Sequence, residues 1–162
     1  MVALKTPLPD EAATLALGAA LAECLVPGLS VHLRGELGAG KTTLVRGVLR
    51  ALGHKGPVKS PTYALVEVYE VSRLHLHHFD FYRFRDPREW IEAGFRESFN
   101  GQVVSLIEWP ERAAGQLPPA DIEIELETSG CERNASLRSS SPTGQQCLAQ
   151  LEKRFPFPSR PS

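Results

Sequence analysis

Gly35-Glu36-Leu37-Gly38-Ala39-Gly40-Lys41-Thr42-Thr43 is the stretch from which the rest of the chain can be read. The residues before it, Ser30-Val31-His32-Leu33-Arg34, have the character of a short strand. Those after it, Lys41 to Leu52, place Leu44, Val45, Val48, Leu49 and Leu52 on one helical face, and Gly53 suits the C-terminal cap. Strand, loop with the pattern G-x-x-x-x-G-K-T, and helix together predict a phosphate-binding P-loop. The residue types follow from the chemistry. Gly38 and Gly40 let main-chain N–H groups approach phosphate oxygens across Ala39, where a Cβ would forbid the conformation. Lys41 supplies a cation for the β- and γ-phosphates, and the Thr42 hydroxyl is placed for a magnesium ion. The positive end of the following helix, where Thr43 lies, adds to the anion site.

Length and composition bound what such a site can belong to. A chain of 162 residues is expected to form one domain with a real core. A net charge of −1 argues against a dedicated nucleic-acid binder, although a local basic patch remains open. Cys24, Cys131 and Cys147 are an odd number without metal-like spacing, which reads as reduced thiols in a cytosolic protein. Met1 to Asp10 has no apolar core of signal-peptide length. Nor does any apolar run approach the roughly 20 residues that span a bilayer. A cytoplasmic protein is expected.

Outward from the P-loop, the pattern predicts an α/β domain. Val2 to Lys5 reads as an edge strand. Asp10 is the expected N-cap of a helix from Glu11 to about Leu25, burying Leu17, Leu21, Cys24 and Leu25. A strand from Thr62 to about Val71 and another from Leu74 to Phe81 are separated only by Ser72-Arg73, so they must run antiparallel. The central sheet is therefore expected to be mixed. Asp86-Pro87 opens a helix to about Gly94, Val103 to Ile107 forms an apolar strand, and Asp121 to Glu127 and Asn134 to Ser140 flank a turn at Gly130. A last helix runs from Pro142 to about Lys153. Residues 1–154 are read as the P-loop domain, and the proline-rich stretch 155–162 as a loose tail.

A nucleoside triphosphatase needs a carboxylate near the magnesium or the attacking water, usually at the end of an apolar strand. Asp80 and Glu108 both qualify, and Glu108 ends the more continuously apolar strand. Asp80 has a competing use as a cap or as a partner of Arg83 or Arg85. Thr62, in Ser60-Pro61-Thr62-Tyr63, is either a sensor of the γ-phosphate or the start of a strand. Strand alternation separates His75 and His77 from His78 and Asp80, so this segment alone cannot build a four-ligand metal site. Arg83, Arg85 and Arg88, beside Tyr82 and Phe84, form a solvated basic surface or a contact for a protein or RNA. Trp109 is a packed aromatic or part of the nucleotide rim.

Taken together, these motifs resemble the TsaE (YjeE) family of bacterial P-loop ATPases over about residues 7 to 150. Besides the P-loop, the resemblance rests on Val58-Lys59-Ser60-Pro61-Thr62-Tyr63, His78-Phe79-Asp80-Phe81-Tyr82-Arg83 and Ile107-Glu108-Trp109-Pro110. It implies a compact α/β domain with a mixed sheet. It also implies ATP and magnesium as cofactors, and a place beside TsaB and TsaD in making threonylcarbamoyladenosine in tRNAs that read codons beginning with A. There the ATP cycle would support turnover of the TsaB–TsaD complex. By the same resemblance Lys41, Thr42 and Thr43 match the phosphate and magnesium positions. Asp80 and Glu108 match the acidic positions, with Glu108 toward the magnesium, and Trp109 matches an aromatic near the site. Glu11 and Arg133 match positions facing the nucleotide. The tail after Arg154 has no counterpart in the family.

Three other readings compete. A GTP switch protein would carry Asn-Lys-x-Asp and Asp-x-x-Gly, and neither pattern occurs. A small-molecule kinase would need an acceptor pocket and an arginine-bearing lid, which the Arg83 to Arg88 group can imitate. A nucleotide-binding assembly factor would turn over scarcely at all.

Overall fold

The computed structural model describes residues 3–61, 65–86 and 99–158. The helix expected from Asp86-Pro87, together with Arg88 and Thr62, lies outside the described residues. Within them, β1 (Ala3–Pro7) leads to α1 (Glu11–Ala22), β2 (Ser30–Arg34) and α2 (Lys41–Ala51). The hairpin of β3 (Val66–Val71) and β4 (Leu74–Asp80) follows, then β5 (Val103–Glu108) and a 3-10 turn at Pro110–Ala113. A second hairpin of β6 (Ile122–Ser129) and β7 (Glu132–Ser139) precedes α3 (Pro142–Arg154).

The strands form one seven-stranded sheet in the order β1-β7-β6-β2-β5-β4-β3. Its centre is parallel: β2 pairs with both β5 and β6, and β4 pairs with β5. Its margins are antiparallel, through β3 on β4, β7 on β6 and β1 on β7. The expected mixed α/β sheet is therefore present. The Ser72-Arg73 connection makes the predicted hairpin, with Val71 opposite Leu74. The parallel pairs need long connections, and between β2 and β5 that connection includes α2.

Period-two alternation divides the core. Along β5, Val104 and Leu106 join the larger cluster, with Val31 and Leu33 of β2 and Leu44, Val45, Val48 and Leu49 of α2. Ile107 points the other way, into a smaller cluster with Phe79, Phe81, Phe84 and Ala113. Helices α1 and α2 meet at Gly47, where an added Cβ would lie 2.5 Å from the carbonyl oxygen of Leu15. That glycine lets α2 sit against α1, whose N-terminus borders the same cleft as residues 37–43. Helix α1 is capped by Asp10, whose carboxylate accepts the Ala13 N–H at 2.8 Å. It ends at Ala22 rather than near Leu25. The Cys24 N–H closes a tight turn on the Leu21 carbonyl, and Pro27 disfavours helical backbone at the residue before it. Cys24 and Leu25 are nevertheless buried. Past α3, Phe155 and Phe157 pack part-buried against the larger cluster. No helix among the described residues is long and apolar enough to cross a membrane.

His32, in the middle of the strand that feeds the P-loop, is buried. Neither of its ring nitrogens has a hydrogen-bond partner among the described residues. Burial, reinforced by the Arg34 charge, pushes its pKa down to about 4 from an ordinary 6.5. The folded protein therefore binds fewer protons here than the unfolded chain, and stability falls as pH drops from about 6.5 toward 4. The full loss from this group is on the order of 3 kcal/mol. In His32→Gln, the decline in chemical-denaturation stability across that interval should be shallower than in the parent by a comparable amount; equal slopes would contradict a depressed His32 pKa.

Candidate functional site

The parallel strands β2, β4 and β5 end together, and ligands of open α/β sheets bind at the carboxyl ends of such strands. Register does the rest. Leu33 of β2 stands beside Glu108 of β5, and Asp80 of β4 stands on the other side of Glu108. The P-loop leaves β2 after Arg34, so both candidate carboxylates lie next to it. Gly40, the N-cap of α2, has φ of 107°, a left-handed conformation that glycine adopts without strain.

Around this junction each charged group has close partners. Lys41 is only 5% exposed. Its ammonium donates to the carbonyl oxygens of Gly35 and Glu36 and lies 4.1 Å from the centre of the Trp109 ring. Burial lowers the Lys41 pKa, while the charges of Glu108, Glu111 and Asp80 act in the opposite direction. The Thr42 hydroxyl lies 3.1 and 3.0 Å from the two Glu108 carboxylate oxygens. Glu108 is buried, and its Oε2 is also 2.6 Å from Nε2 of His78, which has no exposed surface. Asp80 accepts the Ser60 hydroxyl at one oxygen and the Tyr82 N–H, at 2.9 Å, at the other. It does act as a local cap, as its competing sequence reading allowed, while still facing the cleft.

Trp109 follows Glu108 in a left-handed conformation, φ 57° and ψ 49°, unusual for a bulky side chain. This turn sets its ring beside Lys41 and 5.0 Å from the Tyr82 ring, while it also packs against the smaller core cluster. Trp109 is thus a packed aromatic that also lines the cleft beside the P-loop.

These groups line a cleft of about 560 Å³. Its walls include Gly38, Ala39, Gly40, Lys41, Thr42 and Thr43 from the P-loop, with Asp80, Glu108, Trp109, Glu11 and Arg133. The residues singled out in the sequence, though widely spaced along the chain, meet there; Thr62 lies outside the described residues. Glu11 comes from the first turn of α1, 4.0 Å from Arg46. Arg133 comes from β7, and its guanidinium lies over the P-loop, with Nη1 3.5 Å from where a Cβ on Gly40 would sit. Sequence reasoning gave no role to His78. Its signal was the strand phase it shares with Asp80.

The donor set suits magnesium carried in by a nucleotide. Among the described residues, no group of three His, Cys, Asp or Glu side chains could hold a metal alone. Magnesium commonly takes one or two carboxylates, completing its shell with phosphate oxygens and water. The adjoining hydroxyl of Thr42 and carboxylate of Glu108 are hard oxygen donors of that kind, beside a loop built for phosphate. The residues present fit the ion.

The family model for threonylcarbamoyl adenosine biosynthesis protein TsaE matches residues 8–135. The chain belongs to the TsaE family. It is 42% identical over 154 residues to the tRNA threonylcarbamoyladenosine biosynthesis protein TsaE of Haemophilus influenzae, covering 92% of this chain and 98% of that protein. Against the TsaE of Bacillus subtilis it is 39% identical over 127 residues, covering 78% and 77%. The crystal structure of the Bacillus protein YdiB superposes with a TM-score of 0.81 at 28% identity, covering 94% of this chain and 95% of that one.

The Lys41–Trp109 contact gives the cleft an optical reporter. In a Trp90→Phe background, magnesium-ADP should change Trp109 emission, because phosphate draws the ammonium off the ring. The change should vanish in Lys41→Ala. Unaltered emission despite measured nucleotide binding would contradict this coupling.

Proposed function

We propose that this chain is an ATPase of tRNA threonylcarbamoyladenosine biosynthesis, hydrolysing ATP to ADP and phosphate to support turnover by TsaB and TsaD. The observation that carries the reading is the meeting of Thr42 with Glu108 at the mouth of the P-loop, in a chain of the TsaE family. In this reading the tRNA is substrate of the whole assembly. On the same reading residues 1–154 form the ATPase domain, and the segment that follows begins by laying Phe155 and Phe157 against its core.

The roles follow from position. Main-chain N–H groups of residues 38–43 and the Lys41 ammonium bind the phosphates. Thr42 and Glu108 hold magnesium, which when bound neutralises charge on the β- and γ-phosphates. Asp80, adjacent in register to Glu108, orients the attacking water. Arg133 and Glu11 border the nucleotide, and Trp109 forms its rim. The free chain should be slow, because Lys41 is engaged by Gly35, Glu36 and Trp109 and must be redirected toward phosphate. A partner that favours the redirected arrangement would accelerate turnover.

The test is ATP turnover by the purified chain, alone and then with TsaB, TsaD and unmodified tRNA. Marked stimulation is expected, abolished in Lys41→Ala. Asp80→Ala should lose turnover by a larger factor than nucleotide affinity. Equal rates with and without partners would remove the proposed coupling, and no turnover in either condition would favour a nucleotide-binding assembly factor.

A further inference from the structure

His78 is completely buried, and the proposed ATPase chemistry gives it no direct task. Its position is specific. It lies on β4 two residues before Asp80, opposite Leu106 of β5, and reaches along the sheet toward the end of β5. There its Nε2 meets Glu108 Oε2 at 2.6 Å, the same oxygen that lies 3.0 Å from the Thr42 hydroxyl. Nδ1 of the ring has no hydrogen-bond partner among the described residues. The ring proton therefore belongs on Nε2, where it has an acceptor, and His78 donates to Glu108.

We propose that His78 is the positioning residue of the metal-side carboxylate: its Nε2–H fixes the rotamer of Glu108 and so sets the magnesium requirement for nucleotide binding. This rests on reading the cleft as an ATP–magnesium site. A buried glutamate has several rotamers, and only some leave an oxygen beside Thr42. The His78 bond selects among them before nucleotide arrives. The hydroxyl of Thr42 can rotate away from the carboxylate, whereas the imidazole is fully buried on the face of the sheet and has little room to turn. Hydrogen-bond partners behind metal-binding side chains typically govern metal affinity by about 10–100-fold. The role is distinct from that of Asp80, whose carboxylate is held by Ser60 and the Tyr82 N–H instead.

The measurement is calorimetric binding of a non-hydrolysable ATP analogue at increasing magnesium, in the parent, His78→Leu, His78→Gln and His78→Asn. Glutamine can bring an amide N–H to the place of Nε2; asparagine is too short. His78→Leu should need about 10–100-fold more magnesium for half-maximal enhancement of binding, with metal-free affinity nearly unchanged. His78→Gln should recover most of the difference. If the leucine variant does not fold, the comparison of glutamine with asparagine decides, asparagine being the more magnesium-demanding. A parental magnesium requirement in His78→Leu, or in His78→Asn, would overturn the positioning role while leaving the ATP site intact. A parent that binds the analogue but gains nothing from magnesium would overturn both.

Discussion

The site depends on the register of three parallel strands. Pairing sets Leu33 against Glu108 and Asp80 against Glu108, so two acids far apart in sequence stand side by side next to the loop that follows Arg34. A one-residue slip of β5 would turn Glu108 toward the opposite face and Ile107 toward the P-loop. The opposed clusters forbid it: Ile107 is needed among Phe79, Phe81 and Phe84, while Val104 and Leu106 are needed under the helices. Hydrophobic packing thereby fixes the position of a charged group. The antiparallel margins then complete the cleft, since β7 brings Arg133 over Gly40.

Putting charge into so apolar a setting demands partners. Lys41 and Glu108 are 5% and 3% exposed. Removing one partner of a buried charged pair typically costs about 3–5 kcal/mol. Here the ammonium is satisfied by two main-chain carbonyls and an aromatic face, and the carboxylate by a hydroxyl and an imidazole. All of these are contacts that nucleotide and metal would compete with or use. The free protein is thus held together at its site by contacts that an incoming nucleotide would have to displace or share.

Much of this was legible in the sequence because the determining signals are local. G-x-x-x-x-G-K-T sets the loop and its helix, and the two-residue Ser72-Arg73 connection requires an antiparallel hairpin. The apolar run before Glu108, interrupted only by Ser105, marks a strand buried on both faces. What was not legible depends on contacts across strands. Nothing in the order of residues says that His78 meets Glu108 thirty positions away, because that distance depends on which strands become neighbours. The same holds for the left-handed turn that sets Trp109 against Lys41, and for the early end of α1 at Ala22. Each is fixed by tertiary packing or by a single backbone rotation that residue type only weakly encodes.

The most direct test of the account is a crystal structure of the protein with manganese and a non-hydrolysable ATP analogue, read by anomalous scattering from the metal. One strong metal peak is expected within coordination distance of Thr42 Oγ1 and on the Glu108 side of the cleft, with the triphosphate along residues 38–43. A metal bound away from Thr42 and Glu108, or a nucleotide seated outside this cleft, would contradict it.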